Sequence, residues 1–330
     1  MLELFSAETT IVVALDLGDE ENNLIQTAVS LAKKTGSRLI FVHATQPFRG
    51  YISAGGDMVL PYEAFEHDIY TSDVKSAEQK LLAIRDRLPP ELVIDLRVVR
   101  DFPENALESV AEDVGASLVL CGMSPRANHD RYGGMSTALS LMNSSKFPVM
   151  ILPLDTAIDF ASKDHNILVA DNLRDEGLYA LRAALGLCKS ISYSHLFHLH
   201  VKRSSYREIN ETVDKIKTAM VEGRLPFDPD LKTDVYLKHL KDEMRSAMVE
   251  RLEAADSEFA RGLHWTPRIC FGQPAEELQQ QVRDTKADIL IFGKHHFLRP
   301  KGLVLGKIPY QAMMENHVAS IVVPDMAMVQ

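Results

Sequence analysis

Two short segments decide the fold of this chain: Ile-Val-Val-Ala-Leu-Asp at residues 11–16 and Ile-Leu-Val-Ala-Asp at residues 167–171. Each is a continuous apolar run of strand length that ends in a carboxylate, which is typical of a buried strand. Their first residues are separated by 167 − 11 = 156 positions. The similarity predicts that one strand-forming unit occurs twice in the 330 residues.

The segments after each run repeat in the same order. Apolar residues at helical spacing come next, followed by a second strand. Later strands end at Gly122 and Gly293, and the closing strands end at Pro153 and Pro324. These pairs share one offset, since 293 − 122 = 171 and 324 − 153 = 171. The second half therefore carries 171 − 156 = 15 extra residues, which we place between its second and third strands.

Apolar strands that alternate with amphipathic helices predict parallel sheets with helices on both faces. We expect two doubly wound α/β domains, at residues 1–155 and 156–330, each with an open five-stranded parallel sheet. The second contains a longer helical insertion at about residues 203–262, in which a proline-rich break at residues 225–229 separates two amphipathic runs. These helices either cover the sheet or form a lid or an apolar ligand-binding surface, and the covering role is favoured.

Composition excludes several classes of function. Lys and Arg total 36 and Asp and Glu total 46, which gives a formal net charge of −10. An acidic chain lacks the clustered cations that bind a nucleic-acid backbone or an anionic lipid surface. The apolar runs are also far shorter than the roughly 20 residues that a membrane span needs. We therefore expect neither nucleic acid nor membrane as a partner.

Cysteine use and the N-terminal sequence predict the compartment. Cys121, Cys188 and Cys270 show no close pairing, so a disulfide framework is not expected. The first residues contain no basic segment followed by an apolar stretch, so no secretory signal is expected. Both observations favour a reducing, cytoplasmic location.

The repeated order of segments resembles the universal stress protein family, specifically its tandem two-domain members. The resemblance is carried by the strands that end in Asp, by Gly-x-Pro-Ala-Glu-Glu at residues 272–277, by the strand that ends at Gly293, and by the closing strands with Pro. It implies the strand order 3-2-1-4-5. It also implies that ligand-binding members hold ATP at the carboxyl ends of the first and fourth strands, where the strand order reverses.

Nucleotide-binding members of the family carry Gly-x2-Gly-x9-Gly-[Ser/Thr] after the fourth strand, because glycines let backbone N–H groups approach phosphate oxygens. In the first half Gly122 matches the opening glycine, but Pro125 stands at the second and has no N–H to offer. The end of the motif falls near Gly134 and Ser136. The first phosphate loop therefore departs from the signature.

The second half departs from the same signature in other ways. Gly293 matches the opening glycine, His296 replaces the second, Gly306 is in register and Lys307 replaces the hydroxyl residue. Lys307 is still able to meet a phosphate as a point charge. The resemblance implies these nucleotide-binding candidates: Asp16, Gly122, Ser124, Gly134, Ser136, Asp171, Gly293, His296, Gly306 and Lys307.

The two strand-end carboxylates have two interpretations. The resemblance implies that Asp16, and with less support Asp171, faces the adenine end of a ligand. The alternative is that each caps a helix or ends a solvated strand. His198 and His200 share one strand face but lack the convergent partners of a metal site, so no metal site is predicted. No nucleophile and base pair appears, so no catalytic residue is predicted.

The resemblance implies a stress-response protein that acts by binding, without turnover. Its ligand is ATP or another adenine nucleotide, mainly in the second half, or a different small apolar or anionic molecule. A weak ATPase or nucleotidyl-transfer enzyme on the same scaffold is the lower-ranked alternative, since no metal-holding carboxylate set is found. The resemblance also implies an internal pseudo-dimer in which residues 150–152 lie beside residues 321–323, and it leaves association of two chains open.

Overall fold

The computed structural model describes residues 5–18, 21–46, 51–53, 59–61, 66–123, 137–161, 164–191, 194–294 and 317–324. The chain separates into two compact units, one over Glu3–Lys163 and one over Asp164–Gln330. Each unit is an α/β layer structure whose main sheet is parallel.

The first unit alternates strands and helices along the chain. Its strands are β1 (Thr10–Ala14), β2 (Arg38–Ala44), β3 (Tyr51–Ser53), β4 (Val59–Pro61), β5 (Ile94–Val99), β6 (Leu118–Met123) and β7 (Val149–Pro153). Its helices are α1 (Asn22–Thr35), α2 (Glu66–Arg85), α3 (Pro103–Val114) and α4 (Thr137–Ser144). β3 and β4 form a separate antiparallel pair, and the other strands form the main sheet.

The second unit repeats this alternation with one helix more between its second and third strands. Its strands are β8 (His165–Ala170), β9 (Ser194–Lys202), β10 (Trp265–Phe271), β11 (Ile289–Gly293) and β12 (Ala319–Val323). Its helices are α5 (Asp175–Ser190), α6 (Tyr206–Val221), α7 (Thr233–Ala260) and α8 (Pro274–Thr285). Helices α6 and α7 lie where the sequence predicts the insertion.

Strand order is the same in the two units. The first main sheet runs β5-β2-β1-β6-β7 and the second runs β10-β9-β8-β11-β12, with every neighbouring pair parallel. Numbered within each unit, both are 3-2-1-4-5, which confirms the predicted topology. Because parallel crossovers are right-handed, the reversal after the first strand places helices on both faces of each sheet.

Helix ends follow from local sequence. Helices α3 and α8 each begin with a proline, whose missing N–H would have no partner in the first turn. Helix α3 ends at Gly115 with a φ of 59°, the left-handed conformation that favours glycine. The same position after α8 is held by Lys286, with a φ of 49°. The two helices therefore share one terminating geometry with different residues.

The core of each unit lies between the sheet and its helices. The central strands β1, β6, β8 and β11 are almost fully buried, as their continuous apolar sequences predict. Helix α1 contributes a buried stripe that includes Leu24, Ala28 and Leu31. Helix α5 contributes the equivalent stripe, which includes Ala180, Ala184 and Leu187. These stripes fix the start of each helix over the end of its unit's first strand.

Candidate functional site

The candidate site is the end of the sheet where strand order reverses. In the first unit this point lies between β1 and β6, and in the second it lies between β8 and β11. Asp16 follows β1, and Gly122 is the second-to-last residue of β6. Both therefore lie at the carboxyl ends of neighbouring strands. Asp171 and Gly293 lie at the corresponding strand ends of the second unit. Open α/β sheets bind ligands at such points.

One histidine in each unit fixes the register between the two strand ends. His43 Nδ1 is 2.8 Å from the carbonyl oxygen of Leu15. His200 Nδ1 is 2.9 Å from the carbonyl oxygen of Asp171. Each histidine follows the strand residue that pairs with the last residue of the first strand. Asp171 is therefore the structural counterpart of Leu15.

The turns that follow confirm this alignment and correct our pairing of Asp16 with Asp171. The Gly18 amide donates to Asp16 Oδ1 at 2.7 Å. The Arg174 amide donates to the side-chain oxygen of Asn172 at 2.9 Å, in the same two-residue turn. Asn172 is thus the counterpart of Asp16, at the offset of 172 − 16 = 156 that the first strands share. Asp16 is exposed, whereas Asp171 is buried.

The next residue is left-handed in both loops, and its amide is bound by a carboxylate. Leu17 has a φ of 63° and Leu173 a φ of 57°. Leu17 N donates to Glu21 Oε2 at 3.1 Å, and the Asp16 amide donates to the other oxygen of the same carboxylate. Leu173 N donates instead to Asp171 Oδ1 at 2.8 Å. A buried carboxyl group holds each loop, but it comes from a different chain position.

Gly177 makes the second arrangement sterically feasible. It lies 156 residues after Glu21; Glu21 directly precedes α1, and Gly177 is in the first turn of α5. A Cβ added to Gly177 would lie 1.9 Å from Asp171 Oδ1, far inside van der Waals contact. The second unit therefore replaces the helix carboxylate with a strand-end carboxylate and removes the side chain that would occupy the same space.

Asp171 is held by two cationic or polar side chains. Arg251 of α7 donates from Nε to Asp171 Oδ2 at 2.9 Å and from Nη2 to Oδ1 at 3.2 Å. The same Nη2 donates to the Arg174 carbonyl oxygen at 2.7 Å. His198 Nε2 lies 3.1 Å from Asp171 Oδ2, and both side chains are fully buried. The strand end of the second unit is thus filled by its own side chains.

The two loop-holding carboxyls have pKa values shifted in opposite directions. Burial, reinforced by the hydrogen bond and the charge of Asp16, raises the pKa of Glu21 to about 8. Burial also acts to raise the pKa of Asp171, but the hydrogen bonds and charges of His198 and Arg251 outweigh it and lower the pKa. Glu21 is therefore mostly protonated at neutral pH, and Asp171 is ionised.

The glycines of the phosphate-loop motif are only partly described. Gly122 packs against a side chain, since an added Cβ would lie 2.3 Å from Leu154 Cδ2. Gly293 ends β11 and pairs with Val323. The other candidates lie outside the described residues: Ser124, Gly134, Ser136, His296, Gly306 and Lys307. Their roles stay predictions from sequence.

Other features of the described chain are separate from this site. A shallow groove of about 410 Å³ is lined by Arg85, Leu88, Pro90 and Ile94. It lies at the amino end of β5, the opposite end of the sheet from Asp16. Within the described residues, no group of three or more His, Cys, Asp or Glu side chains is arranged to hold a metal ion. None of the described helices combines the length and apolarity needed to cross a bilayer.

Sequence reasoning missed Glu21, Gly177 and Arg251. The constant offset of 156 was a usable signal for the first two, because it aligns Glu21 with a glycine at the start of the equivalent helix. His198, which the sequence offered only as half of a histidine pair on one strand face, is completely buried against Asp171.

Comparisons with known proteins agree with this architecture. The sequence of residues 9–153 matches the model of the universal stress protein family. A universal stress protein from Archaeoglobus fulgidus DSM 4304 is 15% identical, covers 98% of each chain and has a TM-score of 0.61. A protein from Pseudomonas aeruginosa UCBPP-PA14, described as a universal stress protein, is 11% identical over 99% of this chain and 96% of that chain, with a TM-score of 0.56.

A structure of a universal stress protein in complex with cAMP is 22% identical and covers 44% of this chain and 97% of that chain. Its TM-score of 0.31 is too low to support an argument about the present chain. No match was found among curated protein sequences. The likenesses over the whole chain concern the fold alone, and the family match concerns the first unit. Residues 9–153 therefore match the universal stress protein family, and the second unit has the same strand order as this matched segment.

Proposed function

We propose that the protein acts by binding, without turnover, and that its first unit holds an adenine nucleotide at the ends of β1 and β6. The observation that carries this proposal is the exposed Asp16 carboxylate at the point where strand order reverses. An ionised carboxylate only accepts hydrogen bonds, so it suits the exocyclic amino group of adenine. A carbonyl group at the same place would be repelled.

The loop around Asp16 is held in place before any ligand arrives. Glu21 binds two consecutive loop amides, and the Asp16 side chain binds the Gly18 amide. The His43 side chain hydrogen-bonds to the carbonyl oxygen of Leu15, the residue before Asp16. A loop ordered in this way loses little entropy on binding, which favours affinity. These contacts support Asp16 as a presented acceptor rather than a flexible surface side chain.

The second unit supports a ligand at its strand end less well. Its counterpart of Asp16 is the neutral amide Asn172, and its strand-end carboxylate Asp171 is already bound by Arg251 and His198. We therefore place the nucleotide in the first unit, although the motif residues after the fourth strand favoured the second. Among the sequence candidates, Asp16 carries the proposal, and Gly122 lies at the neighbouring strand end.

Three further expectations from the sequence are independent of where the nucleotide binds. The domain boundaries at residues 155 and 156, the internal pseudo-dimer and the cytoplasmic location stay predictions. A role in stress response follows the family that residues 9–153 match. The lower-ranked enzyme alternative is answered by measuring phosphate release.

The experiment is calorimetric titration of the full chain with ATP, adenosine and inosine. We expect one adenine-dependent site per chain, with adenosine bound more tightly than inosine. Asp16→Ala should weaken binding by about tenfold or more, because it removes a charge-assisted hydrogen bond. The matched change Asn172→Ala should leave affinity within about twofold. Equal losses in both variants, or no binding of ATP, would refute the placement; steady phosphate release would refute binding without turnover.

A further inference from the structure

The insertion helix α7 lies across the strand end of the second unit. Its residues Met244, Met248, Leu252 and Ala255 are buried at helical spacing, and α7 contacts both α5 and β10. Arg251 is next to this apolar stripe, and only 17% of its side chain is exposed. The apolar stripe packs α7 against the rest of the unit. From α7, the Arg251 side chain reaches the end of β8.

A second ion pair fastens the same helix five residues later. Asp256 pairs with Lys189 of α5. The backbone of Asp256 is not helical, with a φ of −165° and a ψ of 91°, and its side chain accepts from the Phe259 amide at 3.1 Å. Asp256 therefore interrupts α7 and caps the turn that follows. Its side chain also pairs with Lys189 of α5. The helix is docked by two charged contacts on either side of its last buried apolar residues.

The contact between Arg251 and Asp171 has the form of a ligand complex. A guanidinium group meets a fully buried carboxylate at two points and meets a loop carbonyl at a third. Two parallel N–H donors that match both oxygens of a carboxylate distinguish a guanidinium from an ammonium group. His198 completes the surroundings, and its Nδ1 is buried without a hydrogen-bond partner in the described part of the chain. Asp171 and His198 therefore form a socket around the guanidinium group, and both side chains are fixed and desolvated.

We propose that Arg251 is a tethered ligand of the second unit, that α7 is a latch which closes the strand end, and that the socket formed by Asp171 and His198 binds a guanidinium or amidinium group when Arg251 is withdrawn. This inference does not depend on nucleotide binding in the first unit. It assigns the second unit a site for a planar cation, in contrast to the site proposed beside Asp16.

The test uses the full chain with Arg251→Ala, titrated with ethylguanidinium. We expect the variant to unfold at a temperature lower by about 10 °C, because the buried Asp171 has lost its cation. Amide exchange in residues 233–255 should be about tenfold faster, because the latch is released. Millimolar ethylguanidinium should reverse both changes in a saturable manner, and ethylammonium should not.

Three further variants decide between outcomes. Arg245→Ala, at an exposed position of the same helix, should change neither exchange nor the response to ethylguanidinium. Asp171→Asn combined with Arg251→Ala should abolish the rescue. If Arg251→Ala does not fold, Arg251→Lys keeps the charge without the two-point geometry and should show intermediate exchange. Wild-type exchange in Arg251→Lys, or equal rescue by ethylammonium and ethylguanidinium, would overturn the proposal.

Discussion

Glu21 of the first unit and Asp171 of the second accept hydrogen bonds from equivalent loop amides, those of Leu17 and Leu173. One carboxyl group comes from the start of a helix and the other from the end of a strand. Among the described residues, a guanidinium group pairs with Asp171, that of Arg251, and none pairs with Glu21. The local charge therefore decides which carboxyl is ionised, and the two units are expected to respond to pH in opposite ways.

The first unit is expected to lose stability as pH rises from about 5 to about 8. Folded Glu21 has a pKa of about 8 against an ordinary value of 4.5, so over this range it holds a proton that the unfolded chain has released. The stabilising effect is complete below pH 4.5 and is lost as pH rises through 8, by up to about 1.4 kcal/mol per pH unit. Hydrogen exchange of β1 and β2 amides, corrected for intrinsic rates, measures the change.

Glu21→Gln removes the titrating group and should flatten this pH dependence. Glu78→Gln, at an exposed position of α2, is the matched control and should leave the slope unchanged. The prediction fails if the slope survives in Glu21→Gln.

The second unit is expected to lose stability in acid. The pKa of Asp171 is lowered in the folded chain, so its contribution is present above the ordinary aspartate value of 3.8 and is lost as pH falls through the folded pKa. Trp265 is the chain's one tryptophan, and its fluorescence reports urea unfolding of this unit. Asp171→Asn should reduce stability at neutral pH by about 3 kcal/mol, because it leaves the largely buried Arg251 guanidinium without its anion.

The exposed Asp214 of α6 provides the control for this change. Asp214→Asn should alter the urea midpoint by little, within about 0.5 kcal/mol. A similar loss in both variants would mean that general surface charge, and not the Arg251 contact, sets the acid response.

Gly177→Ala should destabilise the second unit, although alanine is ordinarily the better helix residue. The new Cβ would lie 1.9 Å from Asp171 Oδ1, whose position is fixed by Arg251 and His198. We expect a loss of about 2 kcal/mol or more in urea unfolding followed by Trp265 fluorescence. Gly262→Ala, where an added Cβ meets nothing within 4 Å, should be nearly neutral. An unchanged free energy of unfolding in Gly177→Ala would show that Asp171 moves aside at little cost.

Gly115 and Lys286 end equivalent helices, so the two residue types can be exchanged between these positions as a test. Both residues are left-handed, with φ values of 59° and 49°. A side chain in this conformation costs about 1 kcal/mol, so Lys286→Gly should stabilise its unit by about 0.5–1 kcal/mol. Gly115→Lys should destabilise the other unit by a similar amount. Differential scanning calorimetry of the two variants measures both changes, and shifts of the same sign would contradict the interpretation.

The fold was predictable because its information is local. Apolar runs of strand length and constant offsets between the halves are visible in the sequence, and they predicted two similar α/β units. The strand order 3-2-1-4-5, which the structure confirms, came from the resemblance to the universal stress protein family. The error was one residue at the end of β8. Asp171 resembles Asp16 because each is the first carboxylate after an apolar run, yet the offset of 156 already identifies Asn172 as the counterpart.

The socket of the second unit was not predictable in the same way. Arg251 lies 80 residues after Asp171, in an insertion that the first half does not share. No periodicity links two side chains across such a distance, because their contact depends on how α7 docks. The raised pKa of Glu21 likewise depends on burial and on the closeness of Asp16, which the sequence does not report.

The exchange of a helix carboxylate for a strand-end carboxylate has an evolutionary consequence. Leu15 with Glu21 and Asp171 with Gly177 are two self-consistent pairs. Changing only the strand residue of the first pair would crowd two acids into one loop, and changing only the helix residue would leave the loop amides without an acceptor. Neither single step keeps the loop contacts intact, so the effects of changing the two positions are expected to be non-additive.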